Sequence, residues 1–270
     1  LSRRQRQMCI RDSDGSPDKS GEICDRLALE DTRITVYHQT NNGASAARNF
    51  GVSKSHGAYI AYIDSDDYIA GNYIERLVFA AQTTGAEVAV CGYSTTDSDH
   101  FAFDEAGTVQ VVPGKQACKM QLQASGENPY ATIFAVPWAK LLHRELAERF
   151  PFTYGIKWED IDVSYRWLYA SEKVAICSDR LYAYYQNNDG IIANLRRTEA
   201  LDTDRMQVLI RRAEFFERER EKELARLSWA RALRLLYCDS MEYDGRCDAQ
   251  LKSCLHGRCL LYTSDAADDL

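Results

Sequence analysis

The regular alternation of helix-like and strand-like segments over the first hundred residues restricts the fold of this chain more than any other feature. Apolar residues spaced about 3.6 apart indicate helices, and alternating or β-branched apolar residues indicate strands. The pattern predicts a helix capped by Ser16 and ending near Ala28, a strand from Arg33 to His38, a helix from Ala44 to Ser53, a strand from Ala58 to Ile63, a helix from Tyr73 to Thr83 and a strand from Glu87 to Gly92. Such alternation favours an α/β, Rossmann-like fold with a mostly parallel sheet and helices on both faces.

The second half of the chain is less regular. It predicts an edge strand around Thr108 to Val112, a helix from Asp160 to Ala170, and a strand from Val174 to Tyr185 interrupted by a turn at Ser178-Asp179. Residues 198–237 have a helical period and mix acidic with basic side chains, which favours two solvated, salt-bridged helices over a helix lying on a membrane surface. We therefore expect a main domain over residues 14–197 and a helical appendage over residues 198–257.

The two ends of the chain differ in character from the sequence between them. Residues 1–13 and 258–270 resemble translated sequencing-adapter read-through, so we expect them to be foreign to the natural protein. The alternative is an ordinary basic arm at one end and an acidic tail at the other.

Composition restricts the class of ligand and the compartment. The formal net charge of −7 argues against a nucleic acid as the main ligand, because a phosphate backbone usually requires a basic face. No stretch approaches the ~18 apolar residues of a membrane span, so we expect a globular protein in the cytosol, with peripheral association at the inner membrane face as an alternative. Nine scattered cysteines, without paired spacing, favour reduced thiols over disulfides or a zinc site.

The strongest chemical signal is the acidic run Asp64-Ser65-Asp66-Asp67, which follows a strand predicted to be buried. Open α/β sheets bind their ligands at this end of their strands. Carboxylate oxygens suit Mg²⁺ or Mn²⁺, ions that commonly also bind substrate phosphates. An acidic protein could hold a diphosphate in this way. Taken alone, the same run also fits a solvated turn with helix-capping aspartates.

Four motifs in order make the chain similar to a known family. They are Asp14-Gly15-Ser16, the segment from Asn42 to Gly51, the segment from Gly57 to Asp67, and Lys140-Leu141 followed by Trp158-Glu159-Asp160. Together they resemble the signature of the family-2 inverting glycosyltransferases, which have the GT-A fold and move a sugar from a nucleotide diphosphate to an acceptor hydroxyl. Four motifs in order are more specific than any one alone.

The resemblance implies a donor site. Asp14 would contact the uracil or other base of the donor, although Ser13 stands where the family has a second aspartate. Arg48 would reach the donor nucleotide, and Asp64 would bond the ribose or the sugar. Asp66 would bind the Mn²⁺ or Mg²⁺ that bridges the diphosphate, and the sequence does not separate Asp66 from Asp67 in this role.

The resemblance also implies a catalytic pair, Glu159 and Asp160. Inversion requires a carboxylate that takes the proton of the acceptor hydroxyl while its oxygen attacks the anomeric carbon, and we assign this role to Asp160. The alternative is an acidic first turn of a helix, which the helix dipole favours. Tyr182, Tyr184 and Tyr185 resemble the segment near the acceptor, although core packing is the commoner role of such residues.

The resemblance leaves two matters open. Family members begin with an apolar strand and a Pro-Val-Tyr-Asn-like loop that this chain lacks, so we expect unpaired backbone groups, an open sheet edge and weak or no activity. A nucleotide-sugar-binding or scaffold protein without catalysis is the alternative function, against which both Asp66 and Asp160 argue. A phosphoryl-transfer enzyme would require a glycine-rich phosphate loop, and none occurs. The expected partners are a nucleotide-diphosphate sugar, expected to be a UDP-sugar, and a glycan or lipid-linked acceptor in cell-surface polysaccharide synthesis.

Overall fold

The computed structural model describes residues 9–14, 19–98, 102–104, 107–123, 128–186 and 203–242. Its strands are β1 (Cys9–Asp14), β2 (Ile34–Gln39), β3 (Tyr59–Ala61), β4 (Tyr68–Ile69), β5 (Val88–Thr96), β6 (Val109–Pro113), β7 (Lys140–His143) and β8 (Lys173–Tyr185). Its helices are α1 (Ser20–Glu30), α2 (Ala44–Lys54), α3 (Tyr73–Thr84), α4 (Gly114–Leu122), α5 (Ala131–Ala135), α6 (Arg144–Arg149), α7 (Glu159–Ala170), α8 (Thr203–Arg218) and α9 (Lys222–Glu242). Within these ranges no helix is long and apolar enough to cross a membrane.

The main sheet is mixed, and this corrects the expectation of mostly parallel pairing. Its strands follow the order β3-β7-β5-β8-β4, and β6 also pairs with β8. Only β5 and β8 are parallel neighbours in this sheet, whereas β7 is antiparallel to both β3 and β5. The reason is that β7 comes from the later half of the chain and inserts between two strands of the alternating region. The α/β class itself is confirmed.

A second, two-stranded sheet lies apart from the main one. β1 and β2 are parallel, and no ladder among the described residues joins them to β3. β1 includes residues 9–13, which the sequence analysis assigned to a foreign N-terminal segment; in the structure their backbone pairs with Ile34 to His38. Two further predictions concern residues outside the described ranges: the foreign C-terminal segment at residues 258–270 and the helix cap at Ser16.

β8 is continuous through Ser178-Asp179, where the sequence predicted a turn. The chain accommodates the irregularity by two register shifts against β5, one between Val90 and Gly92 and one between Gly92 and Tyr93. The carboxylate of Asp179 is fully buried and accepts hydrogen bonds from Arg76 Nη2 at 2.8 Å and from the backbone N–H of Gly107 at 2.9 Å. A buried ion pair therefore stands where the sequence predicted a turn.

The two helices predicted after residue 198 are present as α8 and α9, but one face of the pair is buried rather than solvated. Their mutual core consists of Met206, Leu209, Ala213, Trp229 and Ala232. α8 packs on α7, where Arg211 Nη1 lies 3.7 Å from Asp162 Oδ1. At the start of α9, Lys115 of α4 forms an ion pair with Glu221. The helices are thus attached to the same face that carries α7.

The close approach of α4 to the end of α7 requires a glycine. A Cβ on Gly114 would lie 2.1 Å from the carbonyl oxygen of Leu168 and 2.2 Å from that of Ser171. We expect Gly114→Ala to lower the free energy of unfolding by about 3 kcal/mol, because backbone oxygens must shift. Gly71→Ala is the matched control, since nothing lies within 4 Å of its Cβ position. Urea denaturation measures both, and equal stability of the two variants would contradict the packing described.

Candidate active site

The acidic run forms a tight reversal after the main sheet's edge strand. β3 ends at Ala61, earlier than the predicted Ile63, and the backbone N–H of Asp67 donates to the carbonyl of Asp64 at 3.2 Å. The next residue, Tyr68, begins β4, which pairs with β8. This reversal brings the carboxylates of Asp64, Asp66 and Asp67 to one edge of the sheet but points them into different surroundings.

Asp64 belongs to an ion-pair network that joins three distant segments. Arg48 of α2 donates from Nη1 to Oε1 of Glu159 at 2.6 Å and from Nη2 to Oδ1 of Asp64 at 3.3 Å. All three side chains are partly buried, with exposed fractions of 20% for Arg48, 34% for Asp64 and 19% for Glu159. Burial raises the pKa of Asp64, and the Arg48 guanidinium opposes that rise. The structure thus brings together three of the residues that the sequence singled out.

The backbone around Arg48 is held by its neighbour. The side-chain amide of Asn49 donates to the carbonyl of Phe152 at 2.9 Å and accepts from the N–H of Phe152 at 2.9 Å, as a paired strand would. The guanidinium of Arg48 lies 5.1 Å from the centre of the Phe152 ring, within the range of a cation–π contact. α2 and the loop before α7 are therefore fixed to each other.

Asp67 has partners of a different kind. Its Oδ2 accepts from the hydroxyl of Tyr182 at 2.6 Å, and its Oδ1 accepts from the backbone N–H of Tyr185 at 2.8 Å. The same Tyr182 oxygen accepts from the backbone N–H of Asp64 at 3.2 Å. Burial raises the pKa of Asp67 to about 6, and these hydrogen bonds oppose the rise. Both oxygens of Asp67 thus link the reversal to β8.

Asp66 is exposed, and its carboxylate makes no hydrogen bond or ion pair with any described residue. Among those residues there is no group of three or more histidine, cysteine or carboxylate side chains that could hold a metal ion. A Mg²⁺ or Mn²⁺ bound through one protein carboxylate, substrate phosphates and water needs no such group. Asp66 fits this mode of binding, whereas Asp64 and Asp67 already have protein partners.

Asp160 lies in the first turn of α7, one residue after Glu159. Its Oδ1 accepts from the backbone N–H of Ile161 at 2.8 Å. Burial raises the pKa of Asp160 to about 6, the Glu159 charge adds to the rise, and the Ile161 N–H and Arg48 oppose it. A carboxylate with this pKa is ionised near neutral pH and still basic enough to accept a proton.

The backbone entering α7 is strained. Trp158, at the N-cap position, has φ 61°, a left-handed conformation that costs a non-glycine residue about 1–3 kcal/mol. Arg205 of α8 lies 4.9 Å from the centre of the Trp158 ring. Such strain persists where surrounding contacts hold it, and α8 supplies one of these contacts.

Sequence reasoning did not assign a role to Lys140, although it noted the residue in a motif. Lys140 is 1% exposed, and its ammonium donates to the carbonyls of Ile133, at 2.6 Å, and of Val136. Burial lowers its pKa to about 7, while the charge of Asp160 opposes the fall. A lysine in an apolar strand segment is the signal that points to such a buried charge.

The sequence also did not predict the hydrogen bond that Tyr182 donates to Asp67, because the two residues are far apart in sequence.

Asp14, predicted to contact the donor base, is the last residue of β1 and pairs in register with Gln39. The surroundings of its side chain lie outside what the structure describes.

Tyr182 is fully buried, and its ring stacks on Trp138 at 4.8 Å between centroids, in agreement with core packing.

Comparison with known proteins gives consistent matches. The family model described as glycosyl transferase family 2 matches residues 7–150, which is more than half of the chain. Glycosyltransferase GlyG of Streptococcus pneumoniae is 32% identical over 66% of this chain and 61% of its own length. Uncharacterized glycosyltransferase EpsJ of Bacillus subtilis is 31% identical over 66% of this chain and 52% of its own. The chain therefore spans about half to three fifths of the length of these relatives.

Solved structures of low sequence identity share the fold. Residues 1–349 of TarS from S. aureus match with a TM-score of 0.65 at 14% identity, covering 89% of this chain and 66% of that one. The structure of the same protein in complex with UDP-GlcNAc matches with a TM-score of 0.59 at 13% identity, covering 82% of this chain and 56% of that one.

Proposed function

The chain belongs to glycosyl transferase family 2, and from that premise we propose that it transfers a sugar from a nucleotide-diphosphate sugar to an acceptor hydroxyl with inversion at the anomeric carbon. One observation above all supports this proposal. Arg48 contacts both Asp64 and Glu159, which supports a single site for the proposed donor and catalytic motifs despite their separation in sequence.

Asp160 is the proposed general base. It accepts the proton of the acceptor hydroxyl as the hydroxyl oxygen forms its bond to the anomeric carbon and the bond to the nucleotide diphosphate breaks on the opposite face. Its pKa of about 6 leaves it ionised at neutral pH. Glu159 is already engaged in an ion pair with Arg48 at 2.6 Å, and for this reason Asp160 is assigned as the base.

The proposed donor site consists of Asp14, Arg48 and Asp64, with Asp66 as the ligand of Mn²⁺ or Mg²⁺. The metal would neutralise the charge that develops on the leaving diphosphate. Asp66 is favoured over Asp67 because both oxygens of Asp67 accept hydrogen bonds from β8. A UDP-sugar is the first donor to test, since TarS has been solved with UDP-GlcNAc and with UDP.

The acceptor is proposed to be a glycan or a lipid-linked glycan in the synthesis of cell-surface polysaccharide. The matching relatives named as glycosyltransferases come from bacteria. We propose a cytoplasmic site of action, with association at the inner face of the membrane if the acceptor is lipid-linked. The net charge of −7 makes a nucleic acid an unsuitable partner.

A direct test is release of nucleoside diphosphate from a panel of UDP-, GDP- and dTDP-sugars by the purified chain. We expect turnover of one donor or a small set with Mn²⁺ or Mg²⁺, and a fall of at least about tenfold after EDTA treatment that added metal reverses. Donor binding in calorimetry without turnover of any donor, with glycan and lipid-linked acceptors supplied, would instead support the scaffold alternative.

A further inference from the structure

The Arg48 contacts carry an inference that goes beyond a role in donor binding. One guanidinium lies between two carboxylates that come from opposite parts of the site: Asp64 follows β3, and Glu159 begins α7. Two carboxylates with no cation between them would repel each other, and partial burial would strengthen that repulsion. The relative position of the two segments therefore depends on Arg48.

Several contacts keep this guanidinium in one place. It lies over the ring of Phe152, which is 2% exposed, and Asn49 binds the backbone of the same residue from both sides. The planar fork of an arginine can serve two acceptors at fixed angles, which a lysine ammonium cannot match. Arg48 is thus preorganised toward Glu159 and Asp64 in the protein without substrate.

We infer that Arg48 and Glu159 are positioning residues: their ion pair holds the first turn of α7, which bears the base, in a fixed position relative to the donor-side carboxylate Asp64. This inference rests on the proposed function for its kinetic consequences, but the pairing itself can be tested without substrate. Glu159 then holds the helix in place and does not act as a second base, and Arg48 positions α7 in addition to binding the nucleotide.

The pair also adjusts the charge that Asp160 experiences. The charged groups facing Asp160 are Glu159 on the same helix, Arg48 on α2 and Lys140 on β7. Glu159 favours the protonated form of Asp160, and Arg48 favours the ionised form. Removal of either partner should therefore move the pKa of Asp160, and the two removals should move it in opposite directions.

The first experiment is a double-mutant cycle in thermal unfolding, without substrate. Arg48→Gln leaves two carboxylates without their cation and should lower Tm by about 5 °C or more. The double variant Arg48→Gln/Glu159→Gln should be no less stable than Arg48→Gln alone, because the repulsion is removed with the charge. The matched control is the exposed pair Arg33 and Asp31, where Arg33→Gln should change Tm by less than about 2 °C.

The second experiment is the pH dependence of kcat for the same variants. Glu159→Gln should move the acidic limb to lower pH and Arg48→Gln should move it to higher pH, each by on the order of 1 unit. Single effects on kcat should not multiply in the double variant, since the two residues act as a unit.

Two results would overturn the inference. Losses of Tm that simply add in the double variant would mean that the two side chains are not coupled. An increase in donor KM alone, with the acidic limb unmoved in both variants, would make Arg48 a nucleotide ligand and Glu159 a bystander. If the unmodified chain turned over no donor, the proposed function would fail while the unfolding cycle still decided whether the pair is coupled.

Discussion

Replacement of Asp160 by asparagine should lower kcat by about 10²–10⁴-fold while leaving donor affinity within about threefold of its original value. The amide keeps the shape of the carboxylate and can still accept from the N–H of Ile161, but it cannot take a proton from an acceptor hydroxyl. The loss should therefore appear in the chemical step and not in donor binding.

The same variant should be more stable than the original protein. Burial raises the pKa of Asp160 to about 6 from an ordinary 3.8, so its ionised form is disfavoured in the folded chain. The resulting loss of stability grows as pH rises from about 4 to about 6 and is complete at pH 7. Removing the charge should then add about 1–3 kcal/mol to the free energy of unfolding at pH 7 and less at pH 4.

Steady-state kinetics, donor titration by calorimetry and urea denaturation at pH 7 and pH 4 measure these effects. The control is Glu145→Gln, another acidic residue in the first turn of a helix, whose side chain is 86% exposed and lies outside the site. It should change neither kcat nor stability measurably. An Asp160→Asn variant that keeps a third or more of the original kcat would remove Asp160 as the base.

Asp66→Ala should lower activity without lowering stability, whereas Asp67→Ala, at the adjacent residue, should lower stability. Asp66→Ala removes an exposed carboxylate without described partners, so Tm should stay within about 2 °C while metal-dependent turnover falls by about 10²-fold or more. Asp67→Ala leaves the hydroxyl of Tyr182 and the N–H of Tyr185 without their acceptor. It should lower the free energy of unfolding by about 2–4 kcal/mol.

The pair of variants also tests which aspartate binds the metal. Manganese titration followed by paramagnetic broadening of bound donor signals should be weakened in Asp66→Ala and retained in whatever fraction of Asp67→Ala remains folded. The assignment would have to be reversed if Asp66→Ala bound metal and donor normally while Asp67→Ala, still folded, bound neither.

Local patterns predicted much of the fold because they reflect local physics. α2 and α3 begin at the predicted residues Ala44 and Tyr73, where apolar residues first recur at helical spacing. β8 was anticipated by a run of apolar and aromatic residues. The sequence did not predict that β8 passes through Ser178-Asp179 as a strand, since the partner that accommodates the buried Asp179 is Arg76, distant in sequence.

In the sheet and in the candidate site, too, local sequence predicted some features, whereas others depend on tertiary contacts. Alternation predicted an α/β sheet, but strand direction depends on where β7 inserts, and no local pattern records that insertion. Motif order brought Arg48, Asp64 and Glu159 to attention, yet the sequence suggested separate roles for them. The ion pair between Arg48 and Glu159 and the hydrogen bond between Tyr182 and Asp67 each join residues more than a hundred positions apart in the sequence.

The most direct test of an inverting transfer is the configuration of the sugar that first leaves the site. Proton NMR, recorded at the start of donor hydrolysis with enough purified chain and Mg²⁺ for release to outpace mutarotation, distinguishes the two anomers before they equilibrate in water. From a donor in which the sugar is α-linked to the diphosphate, we expect the β-anomer to appear first. Initial release of the α-anomer would contradict single-step displacement assisted by Asp160, and with it the central claim.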